Sequence, residues 1–317
     1  MMSFSARTPA SRHVVSRTRG MAIVGALLVV MVATLLVTGL LQRQDVDIRG
    51  AENRFLQAQG QWLLRGGMDW ASMVLRFDGR RYNTTEPGQL WSIPVEDTRI
   101  SQADTGRVAV FSGRIDDEQG KFNLTNLAQQ GVIQPQAYEG LQRLLPPLGL
   151  PPGLAEPLAQ RVALSQRQVG ADGTLLRAPQ APALQSIDDL LTLEAITPEV
   201  LEALRPYLTV LPQATGVNAN TASPEVLVAA VDGLSLGQAR SLVAQRDRGV
   251  WFRDTADFTN RLANPDISVD GQTIVVNSQW FLVKGAVTLD HAVIATRALL
   301  QRSNRDNVQP VWIREFH

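Results

Sequence analysis

Residues 16–43 read SRTRGMAIVGALLVVMVATLLVTGLLQR, and their reading decides the architecture of everything downstream. Four arginines (Arg7, Arg12, Arg17 and Arg19) come before the apolar run, and no acid appears before Asp45. From Met21 to Leu41 the chain stays apolar for 21 residues. At about 1.5 Å per residue, such a helix crosses a hydrocarbon core of about 30 Å. The basic flank is N-terminal, which directs the rest of the chain away from the cytoplasm. A cleaved secretory signal has a shorter apolar region followed by a small-x-small site. Here the far side is Gly39-Leu40-Leu41-Gln42-Arg43, which carries no such site. Charge and length alone fit a plain signal anchor equally well.

The junction itself resembles a type IV prepilin-like signal, in which a basic leader ends in glycine directly against the apolar helix. In such signals prepilin peptidase cuts on the cytoplasmic side, and the helix survives with a methylated N-terminus. By that resemblance Gly20 is the last residue of a leader spanning 1–20, and Met21 is the N-methylated first residue of the mature chain. Most pilin-like proteins carry a glutamate at mature position five. That position here is Gly25, an exception.

Beyond the membrane-length run the helical period continues. Phe55, Gln59, Trp62, Leu63, Gly66, Trp70, Met73, Val74 and Phe77 recur at three- and four-residue steps and mark one face of a long stem. Gly66-Gly67 weakens that helix locally. From Asp78 to Thr98 glycine, proline, asparagine and threonine punctuate a stretch read as loop. RVAVFSGRIDDEQGKFNLTNL then reads as a hairpin turning at DDEQG, with Asp116, Asp117 and Glu118 facing water on the turn.

Residues 126–264 read as helical, with frequent proline breaks. Ser186 and Thr197 are placed as N-caps, and Pro198 and Pro224 as first helical residues. VNANTASPEVLVAAVDGLSLGQARSLVAQRDRG resembles a helix-hairpin-helix unit, a fold common in DNA-binding proteins. Its Gly233-to-Gly237 spacing is looser than the usual one, and Val217 to Leu262 carries five arginines against five acids. Arg240, Arg246 and Arg248 are the cations that a DNA-binding version would use. Absence of a basic face favours protein packing over nucleic acid. After Gly271 strands return: Phe281 to Leu289 and Val293 to Arg297 alternate across a turn at LDH, then QPVWIREF closes the chain. The order of stem helix, strands, helical block and strands reads as one α+β domain with a helical insertion.

Composition narrows the function. The chain has 30 basic and 30 acidic residues; without the four leader arginines, 26 basic face 30 acidic, a mildly acidic body unsuited to general nucleic-acid binding. Absence of cysteine excludes disulfides and thiolate metal sites. The three histidines are His13 in the leader, His291 at a strand turn and His317 at the terminus, and no nucleophile–base constellation accompanies them. An enzyme is therefore not expected.

Together these pieces resemble the minor pseudopilin K family of type II secretion. The matching features are the Arg-Gly-Met junction without a position-five glutamate, SGRIDDEQGKFNLTNL, VNANTASPEVLVAAV, WFRDTADF and SQWFLVKGAV. The resemblance implies a pilin-like fold, a long transmembrane helix packed on an antiparallel sheet, with a large helical insertion. Its segments are a leader (1–20), membrane helix (21–41), stem and first strands (42–125), insertion (126–264) and closing strands (265–317). It further implies a single-pass inner-membrane protein with its bulk in the periplasm, at the pseudopilus tip with minor pseudopilins I and J. The runner-up is a membrane-anchored nucleic-acid-binding protein of a competence or type IV pilus apparatus. Calcium sites of the family are not carried over, because AQRVALSQRQVGADGTLLRAPQAP holds Asp172 as its only acid; no cofactor is expected.

Overall fold

The computed structural model describes residues 18–101, 108–170, 174–262, 264, 267–290, 292–304 and 306–316. His13, His291, His317 and Asp172 lie outside them. Helix α1 runs unbroken from Thr18 to Arg81, with no proline to interrupt it and with Arg80 and Arg81 in its last turn. Cations there complement the negative end of the helix dipole. The chain divides into two compact units, residues 1–59 and 60–317.

Within the second unit, five strands form one antiparallel sheet in the order β1-β2-β3-β4-β5. They are β1 (Val95–Ser101), β2 (Val108–Asp117), β3 (Trp280–Leu289), β4 (Ala292–Arg302) and β5 (Val308–Phe316). β2 and β3 are adjacent in space, yet the chain between Glu118 and Gln279 makes a long helical excursion. That excursion carries α2 (Pro135–Leu144), α3 (Ala155–Leu164), α4 (Pro198–Leu204), α5 (Pro224–Ala230), α6 (Leu236–Arg246) and α7 (Thr255–Asn260). The Thr197 cap and the two first-turn prolines are those the sequence predicts, and the structure adds Ser223 as a cap. Thr197 accepts from the Val200 amide and Ser223 from the Val226 amide, each followed by proline at the first helical position. Ser186 precedes a short 3-10 turn over Ile187–Thr192, where its amide donates to Asp189 Oδ2 at 3.0 Å while its own hydroxyl makes no cap.

Four readings need correction. The predicted hairpin after Val108 does not form: Phe122–Asn123 pairs in parallel with Leu208–Thr209 instead of folding back on β2, whose partners are β1 and β3. The stretch read as loop from Asp78 to Thr98 begins with the last turn of α1 and ends inside β1, whose largely exposed side chains give no apolar alternation to detect. Asp117 and Glu118 are buried, because β2 delivers them beneath the helical excursion. The stem's buried stripe is Leu64, Ala71, Val74, Leu75 and Asp78, whereas Trp62, Trp70, Met73 and Phe77 point outward. Of the stripe read from the sequence, the aromatic residues and Met73 face solvent, whereas Val74 belongs to the core.

Two glycines explain how tightly α1 lies on the sheet. A Cβ on Gly60 would overlap Ile294 Cδ1, and one on Gly67 would sit 2.7 Å from the Phe111 ring. The pair read as a weak point is thus half functional: Gly67 permits close approach, and Gly66 faces open space. Around that contact Ala71, Val74, Leu75, Trp91, Ile115, Phe281, Val283, Ala298 and Leu300 form one core. A separate, larger core fills the helical excursion. On the other sheet face Trp280 and Leu299 pack with Leu211 of the excursion.

Candidate assembly surface and polar seam

The motifs singled out downstream of the stem meet in one place. Asp117, the last residue of β2, accepts at Oδ2 from Asn218 Nδ2 (2.9 Å), Thr221 Oγ1 (2.6 Å) and Ser278 Oγ (2.7 Å). Its Oδ1 accepts from the Gln119 amide at 2.9 Å. Among the described residues no cation pairs with it, so burial pushes its carboxyl pKa up, and the four donors pull it partly back. Asn218 also donates to the Thr85 carbonyl (2.9 Å), just past the end of α1. One carboxylate therefore ties together the sheet, the segment before α5 and the chain leaving α1.

A second node lies beside it. Arg302 donates to Asp78 Oδ2 (3.2 Å), Thr85 Oγ1 (2.9 Å) and the Ser278 carbonyl (2.8 Å), with its guanidinium 4.9 Å from the Phe281 ring centroid. Burial raises the Asp78 carboxyl, opposed by the hydrogen bond and charge of Arg302. Elsewhere in the seam asparagines mimic backbone. Asn220 exchanges hydrogen bonds with both main-chain groups of Phe252, and Asn126 does the same with Thr215. Arg246 is spent internally on the carbonyls of Ala219 (2.9 Å) and Ala222 (2.6 Å), while Arg240 and Arg248 are exposed. Sequence reasoning missed these roles. The available signal was the recurrence of capping-type residues, Asn-Leu-Thr-Asn at 123–126 and Asn-Ala-Asn-Thr at 218–221, inside otherwise apolar segments.

The predicted processing residues lie elsewhere. Gly20 and Met21 belong to the first turn of α1, and Met21 is 76% exposed. Apart from its chain neighbours and the backbone of its own helix, no atom of the described residues lies within 4 Å of where a Cβ on Gly25 would be. Every residue from Ile23 to Leu41 is exposed. Among the described residues α1 is the one helix long and apolar enough to cross a membrane. Phe55 (54% exposed) in the first unit and Trp62 (70%), Met73 (55%) and Phe77 (50%) in the second are further exposed apolar side chains.

A chain with an apolar N-terminal helix, an antiparallel sheet and a helical excursion between neighbouring strands has known counterparts. Residues 120–213 and 217–277 match two family models, each described as type II secretion system (T2SS), protein K. Over 308 residues the chain is 30% identical to the type II secretion system protein K of Pseudomonas aeruginosa, covering 92% of this chain and 90% of that one. It is 25% identical over 316 residues to the protein of the same name from Pectobacterium carotovorum subsp. carotovorum, covering 92% and 94%. The fold matches a chain in the crystal structure of the GspK-GspI-GspJ complex from the enterotoxigenic Escherichia coli type 2 secretion system. There the TM-score is 0.64 at 18% identity, over 84% of this chain and 99% of that one. The chain belongs to the type II secretion system protein K family.

Proposed function

We propose that this chain is a minor pseudopilin at the tip of a type II secretion pseudopilus. Met21 to Leu41 hold it in the bacterial inner membrane, and the remainder stands in the periplasm as a pilin-like domain with a helical insertion. There it joins minor pseudopilins I and J and helps initiate pseudopilus assembly and export across the outer membrane. Prepilin peptidase cuts between Gly20 and Met21, and Met21 is then N-methylated. The observation that carries this reading is the fully exposed apolar run of α1 from Ile23 to Leu41, and within the second unit Trp62 and Phe77 are exposed as well. Uncovered aromatic side chains of this size mark a site for a partner.

Gly25 supports the tip position. A carboxylate at mature position five costs about 3 kcal/mol in the bilayer centre unless an amine partner arrives. The topmost subunit has no neighbour above it, so glycine removes a liability. The α5–α6 pair acts as a helix-hairpin-helix-like packing module, consistent with Arg246 facing inward rather than toward a phosphate.

Cross-linking tests the proposal, and the absence of native cysteine makes single-site probes clean. A Trp62→Cys chain is expected to form adducts with one or two minor pseudopilins. A ladder of self-adducts along the filament would overturn the tip placement. Mass spectrometry of the mature N-terminus is expected to begin at methylated Met21, and a start beyond Leu41 would end the prepilin reading. Gly25→Glu has room in the isolated helix, so any secretion defect arises in the membrane or the assembly, and no gain is expected.

A further inference from the structure

Strand register lines up four cations across the sheet. Arg114 on β2 faces Lys284 on β3, Lys284 faces Arg297 on β4, and Arg297 faces Arg314 on β5. Directly opposed side chains of like charge repel. The row lies on the face away from α1, since its neighbours Val283 and Gly285 point toward the α1 side. Half of the row is neutralised by Asp116, which takes Lys284 at 2.7 Å and Arg114 at 3.3 Å. Nearby cations from the excursion are also matched: Lys121 with Glu118 (2.7 Å), and Arg205 with Asp188 and Glu202 (both 2.8 Å).

Arg297 and Arg314 are different. Among the described residues neither makes an ion pair within 4 Å or a side-chain hydrogen bond; the charge of Arg297 reaches the exposed Glu202, but that carboxylate is held by Arg205. Each guanidinium instead stacks on an aromatic ring, Arg297 on Phe316 (5.0 Å) and Arg314 on Trp312 (4.9 Å). Stacking uses the flat face of a guanidinium and leaves its edge donors available for bidentate contact with a carboxylate. Both arginines border a cleft of about 100 Å³ walled on its far side by residues 185–188.

We propose that Arg297 and Arg314 receive an acidic, extended segment of another protein lying along the outer edge of β5. A recessed cleft of this size admits a carboxylate side chain but not a flat layer of lipid headgroups, and the body of the chain carries an acid excess. β5 ends the sheet, and no strand pairs with its outer edge among the described residues. Pro310 and the irregularity between Leu299 and Leu300 confine the open edge to Trp312–Phe316. A strand added there places a side chain opposite Arg314, continuing the row with the opposite sign. This surface is independent of the α1 stripe, so either can fail without the other.

The test uses the full chain in detergent and three probes: a short peptide alternating glutamate and valine, its lysine–valine counterpart, and a short-chain soluble phosphatidylglycerol. The acidic peptide is expected to bind, and Arg297→Gln with Arg314→Gln to weaken it about tenfold or more. The doubly substituted chain is expected to melt close to the wild type, because relief of repulsion offsets the two lost ring contacts, so lost binding is not lost folding. N-methylation of alternate peptide amides is expected to abolish binding through the lost edge hydrogen bonds. Equal affinity of the acidic peptide for both chains overturns the proposal, as does binding of the N-methylated peptide at full strength. Arginine-dependent binding of phosphatidylglycerol without peptide binding assigns the site to a headgroup and overturns it too. Unchanged Trp62→Cys cross-linking in the arginine-substituted chain separates this result from the assembly reading.

Discussion

From Ile23 to Leu41 α1 leaves every side chain exposed, while at Asp117 a carboxylate is enclosed among four donors. One region exposes apolar surface and the other buries charge, each against the usual partition of residue types. They differ in how the penalty is met. The seam supplies its own partners from Asn218, Thr221, Ser278 and the Gln119 amide, so its cost is settled within the chain and it acts on folding. Exposed apolar surface has no partner of its own, so its cost is settled by a bilayer or another subunit. Unsatisfied surface points to function, and satisfied burial points to architecture.

The largest expected effect strikes the satisfied side. Arg302→Met leaves Asp78 buried and unpaired and is expected to cost about 3–5 kcal/mol in unfolding of the full chain in detergent. A loss below about 1 kcal/mol would mean that the seam does not hold the unit together.

Asp117→Asn comes next, at about 1–3 kcal/mol. In either amide orientation an N–H would face the Gln119 amide or Asn218 Nδ2, both fixed donors. The pH dependence sharpens this. The folded-state pKa of Asp117 is raised above its ordinary 3.8, so the native chain holds that proton more firmly than the unfolded one. Its contribution is full below about the ordinary value and is lost as pH rises through the raised one. Compared with Asp117→Asn, the wild type should therefore lose stability as pH rises across that window, and parallel curves would refute the assignment.

Gly67→Ala is expected to cost about 1 kcal/mol. Crowding against Phe111 outweighs the helix-propensity gain of alanine. A stabilised variant would show that α1 has room to shift off the sheet.

Trp62→Ser is the smallest in stability, within about 0.5 kcal/mol, because the side chain is largely exposed. Its effect belongs to assembly: cross-links to partner subunits should fall while the melting curve stays in place. A large drop in stability would move Trp62 to the satisfied side of the comparison.

Short windows of the sequence carry the membrane-length run, the Thr197 cap, Pro198 and Pro224 at their first helical positions, and the hairpin of β3 and β4. Each depends on residues a few positions apart, whose period or capping oxygen acts locally. The partner of β2 does not, since β3 lies beyond the whole helical excursion. Nor does the buried side of α1: two amphipathic stripes compete on that helix, and only contact with Ile294 and Phe111 selects the glycine-bearing one over the aromatic one. Asp117 reads locally as a hydrophilic turn residue, because its donors stand at 218, 221 and 278. The arginine row likewise exists only once the register of four strands is set. Local hydrogen bonding and periodicity are written in consecutive residues, whereas burial, charge pairing and strand neighbours belong to residues that meet only when the chain closes on itself.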